Sequence, residues 1–419
     1  MFRFLSALYG IISTVFFVLF YPFIALFRLH TGKDTGTRKI KLGLFKKPNL
    51  GGIVIMFHAV SVGEVISLDK LIKKTREKFP DCKIVLTTGT KTGQELAKKK
   101  YAEAADFITY FPFDIPFSVK NFLNKINPAI VFIAETELWP EFAIQCKKRK
   151  IPIFIINGRI SDSSLNSYTR LKFFFSPILK LYTKIYAQSD LDRTRFVAAG
   201  ACKKDTEVMK NLKFDIDKPV FDISANYRIF TAGSTHSGEN EIIIKVYDYL
   251  KKRHKDLKLV IAPRHLERVP EIAKILDNYK YKTGYRSMQA SFTDNDIIIL
   301  DTYGELQKTY IISYIAFIGG SFSNTGGHNP LEAAICFVPT VTGPSVKNFR
   351  DIYAILTAEN ASKIVNNEQE LADYIDKLLS NKKLYADTVK ACERVFESRK
   401  GAADFITDKI ELYLNKKRL

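Results

Sequence analysis

Several short stretches of the chain gather residue types that can do chemistry. In His58-Ala-Val-Ser61-Val-Gly63-Glu64, a Gly-Glu pair sits where an apolar run gives way to an amphipathic one. Gly63 lets the backbone pass close to a ligand. Glu64, near a helix N-terminus, is favoured in its ionised form and can take the proton of a hydroxyl nucleophile. A Glu three residues after Ser61 is equally a capping box, and spacing alone does not choose between the two. Glu135-Thr-Glu137-Leu-Trp-Pro140 places two carboxylates and the chain's only tryptophan directly after an apolar run. Strand alternation would point Glu135 and Glu137 the same way, as a working pair or as acids held in structural hydrogen bonds. Asn157-Gly-Arg159-Ile-Ser follows the next run and offers Arg159 as a ligand contact.

The second half of the chain is rich in anion-binding chemistry. Gly233-Ser234-Thr-His236-Ser-Gly-Glu239 and Pro263-Arg264-His265 read as turns whose backbone N–H groups, with Arg264, would hold a phosphate. Ordinary helix capping is the competing reading. Gly319-Gly320-Ser321 and then Gly326-Gly327-His328-Asn329-Pro330-Leu331-Glu332 form the most specific stretch. Paired glycines allow a phosphate to approach the backbone, Pro330 pre-sets a helical turn, and Glu332 is placed to accept from ribose hydroxyls. D-x-D occurs at Asp190/Asp192, Asp215/Asp217 and Asp294/Asp296, but none follows a long apolar run. These triplets read as solvated, and no metal is expected. Cys82, Cys146, Cys202, Cys336 and Cys392 are scattered and odd in number, which speaks for a reducing compartment.

Short apolar runs must position these residues. Ile53–Phe57, Lys83–Thr87, Ala129–Ala134, Ile153–Asn157 and Lys184–Ala187 make one series. Arg228–Ala232, Leu257–Ala262, Asp296–Asp301, Tyr314–Ile318 and Thr340–Val341 make another. Runs separated by Lys-rich amphipathic stretches predict βαβ units and two parallel sheets. The unusual residues all follow runs, where doubly wound sheets bind ligands, so a cleft walled by loops of two domains is expected. Lys213–Ile223 is irregular and marks the boundary, giving domains at 31–216 and 217–419, with the last helix free to pack back on the first.

Phe4 to Phe27 carries no charge and would span roughly 36 Å as a helix, enough for a bilayer core. Arg28, Lys33, Arg38, Lys39, Lys41, Lys46 and Lys47 follow it, so residues 1–30 are expected to anchor the chain with the rest on the cytoplasmic side. An interfacial helix is the alternative. A net charge of +20 asks for an acidic partner such as anionic lipid or a phosphorylated substrate. Nucleic acid is not expected, because no nucleic-acid-binding signature accompanies the charge.

HAVSVGE, ETELWP, NGRIS, NLKFD, STHSGE, PRHLER, DTYGEL and GGHNPLEAA follow one another in an order that resembles the bacterial Kdo (3-deoxy-D-manno-octulosonic acid) transferases of lipopolysaccharide synthesis. The resemblance implies a GT-B fold, two Rossmann-like α/β domains, and an inverting, metal-independent reaction without a cofactor. It implies CMP-Kdo as donor, the tetraacyl disaccharide bisphosphate precursor of lipid A as acceptor, and a place at the anionic bacterial inner membrane. The family's general base falls on Glu64, and its transition-state stabilisers fall on Glu135 and Lys213. Its CMP contacts fall on Pro263, Arg264, Gly304, Glu305, Leu306 and Asn329 to Glu332. Two departures stand out. The family often has Gly before the segment matching NLKFD, where this chain has Lys210-Asn211, and usually Arg where it has Ser163. Another nucleotide-sugar enzyme of the same fold, or a membrane-tethered lipid binder without catalysis, are the rival readings.

Overall fold

The computed structural model describes residues 9–21, 23, 36–219 and 227–418. The chain divides into two compact units: one runs to Asp215 and resumes at Arg399, and the other covers Ile216–Ser398. Each holds a seven-stranded, wholly parallel sheet.

In the first unit the strands are β1 (Val54–Ala59), β2 (Lys83–Thr88), β3 (Phe107–Tyr110), β4 (Ile130–Ala134), β5 (Ile153–Gly158), β6 (Lys184–Ala187) and β7 (Thr206–Val208). Their order is β3-β2-β1-β4-β5-β6-β7. Both faces are covered, which is why these strands read as unbroken apolar runs. Val54 and Met56 of β1 join one core with Val131 and Ile133, while Ile55, Phe57 and Ala59 join the other with Phe132 and Phe154.

The second unit contains β8 (Arg228–Thr235), β9 (Leu257–Pro263), β10 (Thr283–Tyr285), β11 (Ile297–Ile299), β12 (Ile315–Ile318), β13 (Thr340–Thr342) and β14 (Ser362–Ile364), in the order β10-β11-β9-β8-β12-β13-β14. The four strands that apolar patterning does not find are β3, β7, β10 and β14, the four sheet edges. An edge strand has one neighbour and needs less apolar surface. Thr206–Val208, with Glu207 half-exposed, carries too little to be told from a loop.

The division falls after Asp215, and residues 399–419 lie in the first unit. Ala402, Ala403, Ile406, Ile410 and Leu414 of the last helix are buried in the same core as Ile55 and Phe57. Within the boundary segment Phe214 is 1% exposed. Asp215, read as solvated, is buried and caps that last helix, accepting the Gly401 N–H at 2.6 Å and the Ala403 N–H. Residues 220–223 of this segment lie outside the described residues.

Among the described residues no helix is long and apolar enough to cross a membrane. Of the expected anchor, positions 4–8, 22 and 24–27 lie outside the described residues, as do Arg3, Arg28 and Lys33. Residues 9–21 are helical, and Ile11, Ile12, Val15, Phe16, Val18, Leu19 and Phe20 are exposed on them.

Candidate functional site

In the first unit the turn after β1 opens the helix Val62–Ser67. The capping box forms: the Ser61 hydroxyl accepts from the Glu64 N–H and donates to Glu64 Oε1 at 2.8 Å. Glu64 Oε2 accepts the Val60 N–H at 2.8 Å. The cap does not exclude a second role, because it fixes the carboxylate in place. Glu64 is buried, and the balance runs against the expected dipole effect. Desolvation pushes it above the ordinary carboxylate range, with Glu135 adding to the rise, against hydrogen bonds from Val60 and Ser61. A Cβ on Gly63 would meet only Ser61 Oγ, at 3.9 Å, so the protein itself does not require glycine there.

Glu135 and Glu137 follow β4. Simple alternation does not continue, because Glu135 is left-handed at φ 55°. Its carboxylate accepts from Lys213 Nζ at 2.9 Å, and both groups are partly buried. Among the described residues no cation pairs with Glu137. Burial, then the like charges of Glu64 and Glu135, push it up to about 7. Three acids and one lysine thus share one electrostatic neighbourhood.

The loops around them are tied together by residues that motif reading left without a role. Asn157 accepts the Leu212 N–H on Oδ1 at 3.0 Å, and its carbonyl accepts from Gln188 Nε2 at 2.9 Å. Asn211 Oδ1 accepts the Lys213 N–H at 2.9 Å, and Asn211 Nδ2 donates to Gln188 Oε1 at 2.9 Å. Arg159 donates its backbone N–H to Thr136 Oγ1 at 3.1 Å, joining this turn to the acidic loop. Lys210 sits at φ 69°, in the region that favours glycine. Its Nζ donates to the Lys400 carbonyl at 3.1 Å. His58, at the head of its motif, is a core residue: stacked 3.9 Å from Phe111 and held by Thr87, it is pushed by burial down to about 3.

The second unit overturns part of the phosphate-cradle reading. The buried Glu239 carboxylate occupies the amides assigned to an anion. It accepts the N–H groups of His236 at 2.8 Å, Gly320 at 2.7 Å, Ser321 at 2.8 Å and Phe322 at 2.9 Å. The glycines also answer to the protein. A Cβ on Gly319 would lie 2.4 Å from the Ser234 carbonyl, and one on Gly327 would lie 2.9 Å from that of Ser345. Ser234 itself is left-handed at φ 57°.

Near this plug Arg264 and His265 are exposed, and His236 and His328 are half-buried. His236 and His328 meet Nε2 to Nε2 at 2.8 Å, so one carries the shared proton, and the His265 ring lies edge-on 5.7 Å from His236. Burial pushes His328 down to about 4, with His236, Arg264 and His265 adding to the fall. Arg264 follows Pro263 at the end of β9 and is exposed. Asn329 Oδ1 accepts the Leu331 N–H at 3.1 Å, so Asn329 as well as Pro330 starts the short helix Leu331–Ala334. Glu332 is raised by burial, against lowering by the Asn329 hydrogen bond and Arg264. Gly304, at φ 82°, has nothing within 4 Å of an added Cβ and leaves open space. Glu305 is held by Thr302 and by Arg286 Nη2 at 3.0 Å, and Leu306 packs under the sheet end.

Of the D-x-D acids, Asp190 and Asp294 are exposed, while Asp192 is bonded to Ser189 and the Ile160 N–H, and Asp296 to Lys251 and Lys258. Among the described residues no group of three or more His, Cys, Asp or Glu is arranged to hold a metal.

Residues 36–216 match the family described as 3-Deoxy-D-manno-octulosonic-acid transferase (kdotransferase), and residues 235–395 match Glycosyl transferases group 1. The 3-deoxy-D-manno-octulosonic acid transferase of Haemophilus influenzae is 33% identical over 374 residues, covering 86% of this chain and 87% of that protein. The chain belongs to the Kdo transferase family. The Kdo transferase of Chlamydia trachomatis serovar A is 30% identical, with 84% of each chain covered. A crystal structure described as a putative UDP-N-acetylglucosamine 2-epimerase from Listeria monocytogenes overlays with a TM-score of 0.59 at 14% identity, covering 87% of this chain and 98% of that one. That likeness shows the fold alone: two parallel-sheet α/β units of the GT-B type.

Proposed function

We propose that this Kdo transferase moves Kdo from CMP-Kdo to a hydroxyl of the tetraacyl disaccharide bisphosphate precursor of lipid A, inverting the anomeric centre without a metal. The observation that carries the mechanism is the fixed, buried Glu64. Its carboxylate is held by two donors in a capping box, yet burial raises its proton affinity, which is what a general base needs. Glu64 takes the proton of the acceptor hydroxyl as that oxygen attacks the anomeric carbon. The bond from that carbon to the CMP phosphate breaks, and CMP leaves. Lys213 balances Glu135 and keeps positive charge beside the reacting centre.

In the second unit Arg264, with the half-buried His236–His328 pair beside it, meets the departing phosphate. Glu332 and Asn329 accept from the ribose, and the open space over Gly304 admits the nucleotide. Because Glu239 fills the amide nest, the phosphate is met by side chains more than by backbone.

The N-terminal segment holds the enzyme to the inner membrane, with both units on the cytoplasmic side. Exposed apolar residues on the helix at 9–21 and the net charge of +20 support this. The test is a transfer assay read by mass, with CMP-Kdo and the lipid A precursor in excess chelator. The reading predicts Kdo-sized adducts on the precursor. No adduct from folded, CMP-binding protein would remove this donor–acceptor pair.

A further inference from the structure

The helix at 9–21 is seated on the first unit. Phe17 and Tyr21 each place their rings 5.1 Å from Phe113, and a Cβ on Gly10 would lie 3.1 Å from Pro116. Next to Phe113 stands Asp114, whose carboxylate has three partners on two other elements. Tyr9 donates its hydroxyl to Oδ2 at 3.0 Å. The N–H groups of Glu141 and Phe142 donate at 3.0 and 2.8 Å. These two amides open the helix Pro140–Lys148, whose own N-cap, Trp139, supplies no side-chain cap. Asp114 is therefore a cap supplied from a distant loop. The segment just before this helix is the acidic loop of Glu135 and Glu137. Tyr182 closes its far side, accepting the Trp139 N–H at 3.4 Å and donating to the Glu137 carbonyl at 3.3 Å.

We infer that Asp114 is a positioning residue that couples the seating of the N-terminal helix to the placement of the acidic loop beside Glu64. With Tyr9 bonded, Oδ2 is held toward the helix start, and Pro140 and the preceding loop are fixed. Without that bond the carboxylate is free to turn, the two amides lose a partner, and the loop loosens at its C-terminal end. The N-terminal helix then has a task besides attachment: it completes the order of the site. The effect on turnover rests on the proposed role of Glu64 and its neighbours.

The chain's only tryptophan, Trp139, lies between the acidic loop and the capped helix and reports on both. The test uses the full-length protein in detergent, with Tyr9→Phe, Asp114→Asn and the double variant. It reads Trp139 emission and acrylamide quenching, kcat and donor KM for Kdo transfer, and the thermal midpoint. Tyr9→Phe removes one oxygen and should quench Trp139 more readily and lower kcat about 5-fold or more, with donor KM unchanged. The double variant should be no worse than Asp114→Asn alone, because both act through one carboxylate. Trp139 behaviour identical to wild type in Tyr9→Phe would overturn the inference. So would altered Trp139 with kcat within 2-fold of wild type, or losses that multiply in the double variant. If wild type transfers no Kdo, the functional reading fails by itself, and Trp139 still reports whether the coupling exists.

Discussion

Replacing Glu239 by Gln tests the claim that a protein carboxylate, rather than a ligand, organises the glycine-rich loops of the second unit. Glu239 is fully buried and accepts four backbone N–H groups, two on each oxygen. Gln keeps the shape and one oxygen. Its Nε2 then faces two amide donors, and those amides lose their acceptor. A buried polar group left unmade costs about 1–3 kcal/mol, so two amides and a misplaced NH2 amount to roughly 3–5 kcal/mol. For a unit of this size each kcal/mol moves the midpoint by about 2–4 °C, so the transition of the second unit should fall by about 10 °C. Hydrogen exchange at Gly320, Ser321 and Phe322, read beside calorimetry, separates this from effects on the first unit. If the amides served a nucleotide phosphate and Glu239 only competed for them, Glu239→Gln would bind CMP more tightly and lose little stability. A loss below about 1 kcal/mol with tighter CMP binding would refute the reasoning.

Other outcomes follow from the first unit. Lys213→Met leaves the partly buried Glu135 without its cation, a loss between that of an exposed and a buried pair, about 1–3 kcal/mol. It should lower kcat about 100-fold and move the acid limb of the kcat/KM pH profile upward, since Glu64 then faces an unbalanced like charge. Glu137→Gln should leave the acid limb in place, because Glu137, pushed up to about 7, carries little charge over the acidic range and the like charge that raises Glu64 is that of Glu135. Glu137 is raised from 4.5 to about 7 in the fold. Its stability contribution is therefore present below the unfolded value and lost as pH rises through about 7, so Glu137→Gln should flatten the decline in melting temperature over that window. Lys210→Gly should stabilise the first unit slightly, by about 0.5–1 kcal/mol read as a higher melting temperature, as the left-handed strain is relieved and the weak Nζ bond to Lys400 is given up.

Much of the fold was legible because fully buried parallel strands leave dense apolar runs. Phe57, Phe132 and Phe154 sit in neighbouring strands of one core, and each lies in a run that reads as a strand. The edges were not legible, since β7 and β14 carry no such run. For the last helix the sequence left both domains open, because Ile406 and Ile410 show which face of a helix is apolar but not which sheet receives it. The motifs located the loops but not the partners inside them. Glu239 follows a glycine as Glu64 does, and nothing in either pattern says that one carboxylate meets four amides and the other only two donors. Asn157 and Gln188 tie the loop of Lys213 through backbone groups, and such bonds leave no spacing signature. Lys210 is the reverse case. The sequence marked it only as a departure from the family's glycine, and the backbone there is left-handed.

The most direct test of the central claim is the transfer rate of Glu64→Gln beside wild type, with CMP affinity measured on the same samples. The account predicts Kdo transfer by wild type in the presence of chelator, a loss of about 100-fold or more in kcat for Glu64→Gln, and CMP affinity within 2-fold of wild type because the nucleotide groups lie on the second unit. Transfer by Glu64→Gln within a few-fold of wild type would contradict the role of Glu64 as the base and leave it as a helix cap.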